Sequence, residues 1–124
     1  MDEKWKLHEK EYEFACVVWE NEPIPSGELA KLCMERLNWK RTTTYTVLKK
    51  LCDRGILKNE NAVVTANIKK EMVQRKESER FIEKLFNDSL SSFIVSFAKE
   101  RRLSEQELKE IKEWIDSYER GNEK

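Results

Sequence analysis

From Arg41 to Arg54 the chain reads as a helix whose two faces differ in chemistry, and this stretch limits what the rest can build. Thr44, Val47, Leu48 and Leu51 fall at i, i+3, i+4 and i+7, one side of a 3.6-residue helix. Thr42, Tyr45, Thr46 and Lys49 repeat that spacing on a face of hydroxyls and a cation. Gly55 stands where a helix commonly ends in a left-handed residue. Four threonines in the five positions 42–46 lower helix propensity, whereas a solvated face ordinarily carries unbranched Glu and Lys. Hydroxyls and a phenol flanked by Lys and Arg suit base edges and phosphates. The plainer reading of these residues is a Thr-rich amphipathic helix.

Charge separates the two readings. The 124 residues carry no net charge, which argues weakly against a nucleic-acid binder. The distribution is uneven, however. Residues 1–35 hold four Lys/Arg and nine Asp/Glu, residues 36–58 seven Lys/Arg and one Asp, and residues 59–124 thirteen and fourteen. A positive island therefore coincides with the Thr-rich helix, and a local patch supplies the phosphate component of DNA binding while the remainder stays neutral.

Upstream, residues 8–22 read as a first helix with Tyr12, Ala15, Val18 and Trp19 on one side. Pro23-Ile24-Pro25 breaks it. Ser26 is placed to cap a second helix with Leu29, Leu32, Cys33 and Leu37 as its apolar stripe, and Asn38-Trp39 turns into the Thr-rich helix. Helix, short turn and basic, hydroxyl-rich helix make a helix-turn-helix. After Gly55, Ile56-Leu57-Lys58 and Ala62-Val63-Val64-Thr65 are β-prone runs around Asn59-Glu60-Asn61, a hairpin whose asparagines supply positive φ. Three helices and a hairpin are the winged-helix plan. Glu60 near the tip of this short wing would repel phosphate, so little DNA affinity is expected from it beyond Lys58.

Residues 69–124 read as three more helices: Lys69–Phe86, residues 90–101, and a last one behind the Ser104-Glu105-Gln106-Glu107 capping box, stapled by Leu103 and Leu108. Their apolar positions are Phe81, Ile82, Leu85 and Phe86; Leu90, Phe93, Ile94 and Phe97; and Leu108, Ile111 and Ile115, with Trp114 and Tyr118 beside them. Such narrow stripes are covered either by the first domain or by a second copy of themselves, and the second copy is favoured. The expected interface is Phe81, Leu85, Leu90, Phe93, Ile94, Phe97, Leu108, Ile111 and Ile115. The fold class expected is mainly α: a winged-helix DNA-binding domain over 1–68 and a helical dimerisation domain over 69–124. A symmetric dimer also suits a palindrome, with two recognition helices in adjacent major grooves.

Other chemistries find little support. Cys16, Cys33 and Cys52 lack CxxC spacing and read as small apolar fillers. His8 is the lone histidine and has no nucleophile beside it. No nucleophile–base pair, metal set or phosphate-cradling glycine loop is present, so neither an enzyme nor a cofactor is expected. No apolar run approaches the roughly 20 residues that cross a bilayer, and the Met1-Asp2-Glu3 start is not that of a signal peptide. A cytoplasmic location is the expectation.

The chain resembles the penicillinase-repressor family (BlaI/MecI type) over nearly its whole length. Leu7-His8-Glu9-Lys10-Glu11-Tyr12-Glu13 through Val18-Trp19-Glu20 resembles that family's opening helix, and Asn38-Trp39 through Thr46-Val47-Leu48-Lys49-Lys50-Leu51 with Gly55 its recognition helix. Phe81-Ile82 to Leu85-Phe86, Phe93-Ile94-Val95-Ser96-Phe97 and Leu103-Ser104 to Ile111 resemble its dimerisation domain. The resemblance implies a homodimeric repressor of a palindromic operator, often that of a β-lactamase or penicillin-binding-protein gene. It also implies a membrane-bound zinc metalloprotease sensor that triggers cleavage within the dimerisation domain. The family's Asn-Phe cleavage position falls on Ser96-Phe97, with serine in place of asparagine. The Cys-x-Cys tail of copper-responsive relatives is not found in Gly121-Asn122-Glu123-Lys124, and copper sensing is not expected.

By resemblance the base-facing positions are Thr42, Thr43, Tyr45 and Thr46; the helical face itself gives 42, 45, 46 and 49. Lys40, Arg41, Lys49, Lys50 and Lys58 suit phosphates, with Ser26 at the start of the preceding helix as a further candidate. Trp39 is open between a DNA-backbone contact and a wedge between helices. The competing function is a protein-interaction or anti-repressor module whose winged helix binds a protein.

Overall fold

The computed structural model describes residues 5–100 and 102–122. In chain order these form α1 (Glu9–Asn21), β1 (Ile24–Pro25), α2 (Ser26–Leu37), α3 (Arg41–Asp53), β2 (Leu57–Glu60), β3 (Val63–Ala66), α4 (Lys70–Phe86), α5 (Leu90–Glu100) and α6 (Glu105–Asn122). The protein is mainly helical with a small antiparallel sheet, a winged helix followed by a helical region, as expected. Residues 1–3 of the acidic start, position 101 of the expected 90–101 helix and the last two tail residues lie outside the described residues. Two compact units divide inside α4, the first ending at Arg80 and the second starting at Phe81. The first unit thus runs past residue 68, because fully buried Val73 ties the start of α4 into it.

The core of the first unit joins Phe14, Val17 and Val18 of α1, Ile24 of β1, Leu29 and Cys33 of α2, Leu48 and Leu51 of α3, and Ile56, Leu57, Val64 and Ala66 around the sheet. The buried side of α1 is wider than the expected stripe. Phe14 and Val17 join Ala15 and Val18 inside, while Tyr12 and Trp19 are half-buried and meet edge to face at 5.8 Å. α2 ends at Asn38, whose φ of 59° is left-handed, and the Trp39 N–H reaches back to the Cys33 carbonyl at 3.2 Å. Helix α3 ends with Gly55 at φ 78°.

Three details differ from the sequence expectation. The sheet has three strands in the order β1-β3-β2, because Ile24 and Pro25 pair with Val64 and Val63. Proline was expected only to break the helix, yet its fixed φ is tolerated at a sheet edge. Ser26 does not cap α2; Pro25 holds the cap position and Ser26 is the first helical residue. The hairpin turns at Asn61-Ala62, both with positive φ (52° and 61°), so Asn59 and Glu60 belong to β2, with Glu60 opposite Val63.

Left-handed backbone costs an L-residue roughly 1–2 kcal/mol. A Cβ at Gly55 would meet nothing within 4 Å, so Gly55→Ala should lose about that much through conformation alone. Ala62→Gly should gain up to about 1 kcal/mol in the reverse sense. Urea midpoints of the two variants, shifted in opposite directions, check both.

In the second unit, Asn87 (φ 50°) and Asp88 (φ 64°) make the turn after α4, and the Ser89 hydroxyl accepts the Ser92 N–H at 3.1 Å. Phe93 contacts Phe81, Phe86 and Phe97 with ring centroids 5.7, 5.4 and 5.8 Å apart. The expected capping box opens α6: the Glu107 N–H donates to Ser104 Oγ (3.1 Å) and the Ser104 N–H to Glu107 Oε1 (3.4 Å). Leu85, Leu90, Ile94, Val95, Leu108, Ile111, Trp114, Ile115 and Tyr118 all remain exposed. No helix among the described residues is long and apolar enough to cross a membrane.

Candidate nucleic-acid interface

The buried side of α3 is Thr44, Leu48 and Leu51, and this fixes what the helix shows to solvent. At 3.6 residues per turn, Thr42 and Thr46 stand directly opposite that side. Lys49 lies on one shoulder; Thr43 and Lys50 lie on the other. All five are exposed, as are Lys40 and Arg41 at the helix start. Tyr45 lies nearer the core and is half-buried. The Thr46 hydroxyl donates to the Thr42 carbonyl at 2.9 Å, which leaves its lone pairs and methyl group facing outward. Buried Thr44 has its hydroxyl against the Cys33 thiol.

Tyr45 is held by a small polar cluster. Its hydroxyl donates to Ser26 Oγ at 3.4 Å and accepts from Arg41 Nη2 at 3.3 Å, while the guanidinium carbon sits 5.3 Å from the ring centroid. Ser26 is buried at the start of α2, and the Arg41 guanidinium passes 3.9 Å from where a Cβ on Gly27 would be. Gly27 is the member of this cluster that sequence reasoning missed. The signal was a small residue directly after Ser26 at a helix start, legible only once Arg41 is known to cross it.

The remaining residues are placed less uniformly. The Trp39 ring lies flat on Phe14, centroids 5.5 Å apart and planes 17° apart, which is the geometry of a wedge in the core. Lys58 on β2 pairs with Glu60 at 2.7 Å, and Lys49 pairs with Asp53 at 3.1 Å. Both pairs are exposed and contribute little to stability, so a phosphate can displace either carboxylate. The acidic wing residue is thus engaged by its own lysine. Cys33 is buried and Cys16 and Cys52 half-buried, all free thiols. Burial pushes the Cys33 and Cys52 thiols up, with Asp53 adding to the effect at Cys52, which favours the protonated thiol at both.

Known proteins are similar to this chain in sequence along nearly its whole length. The family model described as Penicillinase repressor matches residues 7–117. The penicillinase repressor of Bacillus licheniformis is 24% identical over 117 residues, with 91% of each chain covered. The methicillin resistance regulatory protein MecI of Staphylococcus aureus (strain Mu50) is 21% identical over 117 residues, covering 90% of this chain and 95% of that one. A penicillinase repressor of Staphylococcus aureus is 22% identical over 110 residues, covering 86% and 87%. None of the three is named as an enzyme. Because the family match runs from the residues before α1 into α6 and takes in α3 and the wing, the chain belongs to the penicillinase repressor family.

Proposed function

We propose that this protein is a sequence-specific transcriptional repressor that binds a palindromic DNA operator as a homodimer. The observation that carries the reading is the outward face of α3, where Thr42 and Thr46 stand exposed against helix propensity and are flanked by Lys49, Thr43 and Lys50. Thr42, Thr43, Tyr45 and Thr46 read base edges, and threonine methyls pack on thymine methyls. Lys40, Arg41, Lys49, Lys50 and Lys58 hold phosphates, together with the α2 N-terminus at Ser26. Trp39 fixes the entry to α3 from inside the core. The controlled genes are those of β-lactam resistance or a related response, in keeping with the names of the relatives.

Relief comes from proteolysis in the dimerisation region, set off by a membrane-bound metalloprotease sensor, with Ser96-Phe97 as the candidate bond. That bond lies inside α5, so the helix must open locally before it is cut.

A gel shift at two salt concentrations tests the core of this reading against a protein-interaction module. A DNA binder loses affinity steeply with salt; a protein-interaction module shows no specific duplex binding at either concentration. Thr46→Ala should weaken operator binding by on the order of 1–3 kcal/mol and relax base preference without loss of stability. Lys49→Ala should weaken binding to all duplexes alike and reduce the salt slope by about 1. Equal losses on operator and random DNA for Thr46→Ala would remove it from base reading.

A further inference from the structure

The chain leaves the sheet towards α4 through Asn67, Ile68 and Lys69, a segment with no regular structure of its own. It is nevertheless fastened. Trp19 of α1 donates its indole Nε1–H to the Ile68 carbonyl at 3.0 Å, across 49 positions of sequence. Glu22, just past α1, accepts the Ala66 N–H at 2.8 Å and pairs with Lys69 at 3.6 Å. The Asn67 and Ile68 N–H groups both reach the Ile56 carbonyl, at 2.9 and 3.2 Å. Beyond the segment, Val73 is fully buried and Gln74 donates to the Tyr12 hydroxyl at 3.5 Å. Tyr12 in turn meets Trp19 edge to face.

These contacts exceed what a tether between two modules requires. A flexible tether would let each DNA-binding unit find its half-site independently. Here Gln74 of α4 bonds to Tyr12 of α1, and α1 shares its core with α3. The first turns of α4 therefore belong to the same unit as the recognition helix.

We propose that Trp19 is a specificity-determining residue for half-site spacing: by pinning the Ile68 carbonyl it sets the exit direction of α4, and so the separation of half-sites that two linked copies accept. The proposal rests on the reading of the protein as a dimeric operator binder. It concerns geometry and not base identity, since Trp19 stands on α1 and its indole bonds the Ile68 carbonyl. One added base pair moves a half-site by about 3.4 Å and turns it by about 35°, so a rigid joint discriminates sharply and a loose one does not.

The test uses the full chain and a set of duplexes with the same two half-sites at spacings varied one base pair at a time. Wild type should prefer one spacing by tenfold or more over its neighbours. Trp19→Phe keeps an aromatic ring on α1 and removes the indole donor together with part of the ring volume. It should cut that preference to about threefold or less, while affinity for an isolated half-site changes by less than about twofold. An unchanged spacing preference in Trp19→Phe overturns the proposal and leaves the repressor reading intact. A wild-type protein that binds duplexes with no spacing preference, or not at all, overturns the dimeric operator reading and the proposal with it. Should Trp19→Phe fail to fold, Val73→Ala loosens the same seat with Trp19 unaltered, and the same two outcomes apply to its spacing preference.

Discussion

Ile94→Glu is expected to convert the protein to a monomer in sedimentation and to lower its operator affinity by roughly 10²–10⁴-fold, the gain that linked half-sites provide. Ile94 is 50% exposed in a single chain. It lies on α5 among Leu90 and Val95, with Leu108, Ile111 and Ile115 of α6 equally uncovered. A soluble protein seldom leaves so much apolar surface on two short helices unless a partner covers it. In a two-fold interface each substitution is present twice, and two carboxylates would be desolvated without partners. Phe93 is the less informative position. Its ring is half-buried against Phe81, Phe86 and Phe97 of its own chain, so Phe93→Glu would damage the unit before it reported on assembly. If sedimentation of Ile94→Glu still shows a dimer, the interface lies elsewhere; an isolated half-site should bind as before.

The parts of this molecule legible in the sequence are those governed by local periodicity. The two faces of α3 follow from a 3.6-residue repeat, and the structure buries Thr44, Leu48 and Leu51 of the inward set while leaving Val47 half-buried. The Ser104–Glu107 cap and the Gly55 terminus are set by the chemistry of one turn, and both were visible. The features that escaped involve partners far apart in sequence or residues in atypical roles. A two-residue strand ending in proline has no period to detect, so β1 was invisible. Ser26 looks like a cap in any local reading; only the fold brings Tyr45, 19 positions away, to its hydroxyl. Ala62 takes a backbone conformation that composition assigns to Gly or Asn, so a local reading centres the turn on Asn59-Glu60-Asn61 while the structure turns at Asn61-Ala62. The helical repeat predicts that Thr42 and Thr46 point outward, and both are exposed. It could not show that Lys49 and Lys58 each keep a carboxylate in reach.

The pair that locks the start of α1 to the end of α3 was equally hidden, and its removal should have the largest effect on stability. Arg54, just past α3, donates from Nη1 to both carboxylate oxygens of Glu11 at 3.2 Å and from Nη2 to the Lys6 carbonyl. The side chains are 27% and 11% exposed, so most of the pair is removed from water. Glu11 also accepts the His8 N–H at 3.0 Å, so one carboxylate closes the start of α1 and anchors the end of α3. Breaking a buried pair by removing one partner costs about 3–5 kcal/mol, and the partial exposure of Arg54 places Arg54→Ala near the lower end, about 3 kcal/mol. Burial pushes the Glu11 carboxyl up, but the His8 N–H and the Arg54 guanidinium together outweigh it and hold it below its ordinary value of 4.5. A carboxylate lowered in the folded state stabilises fully above its unfolded value and loses that contribution as pH falls through the folded one. Wild type should therefore exceed Glu11→Gln in urea stability by a constant margin from pH 7 down to about 5. Below the unfolded value the margin should shrink, as wild type takes up the proton that the amide variant cannot. A margin that persists undiminished at pH 3 would show that Glu11 acts through its shape and hydrogen bonds and not through its charge.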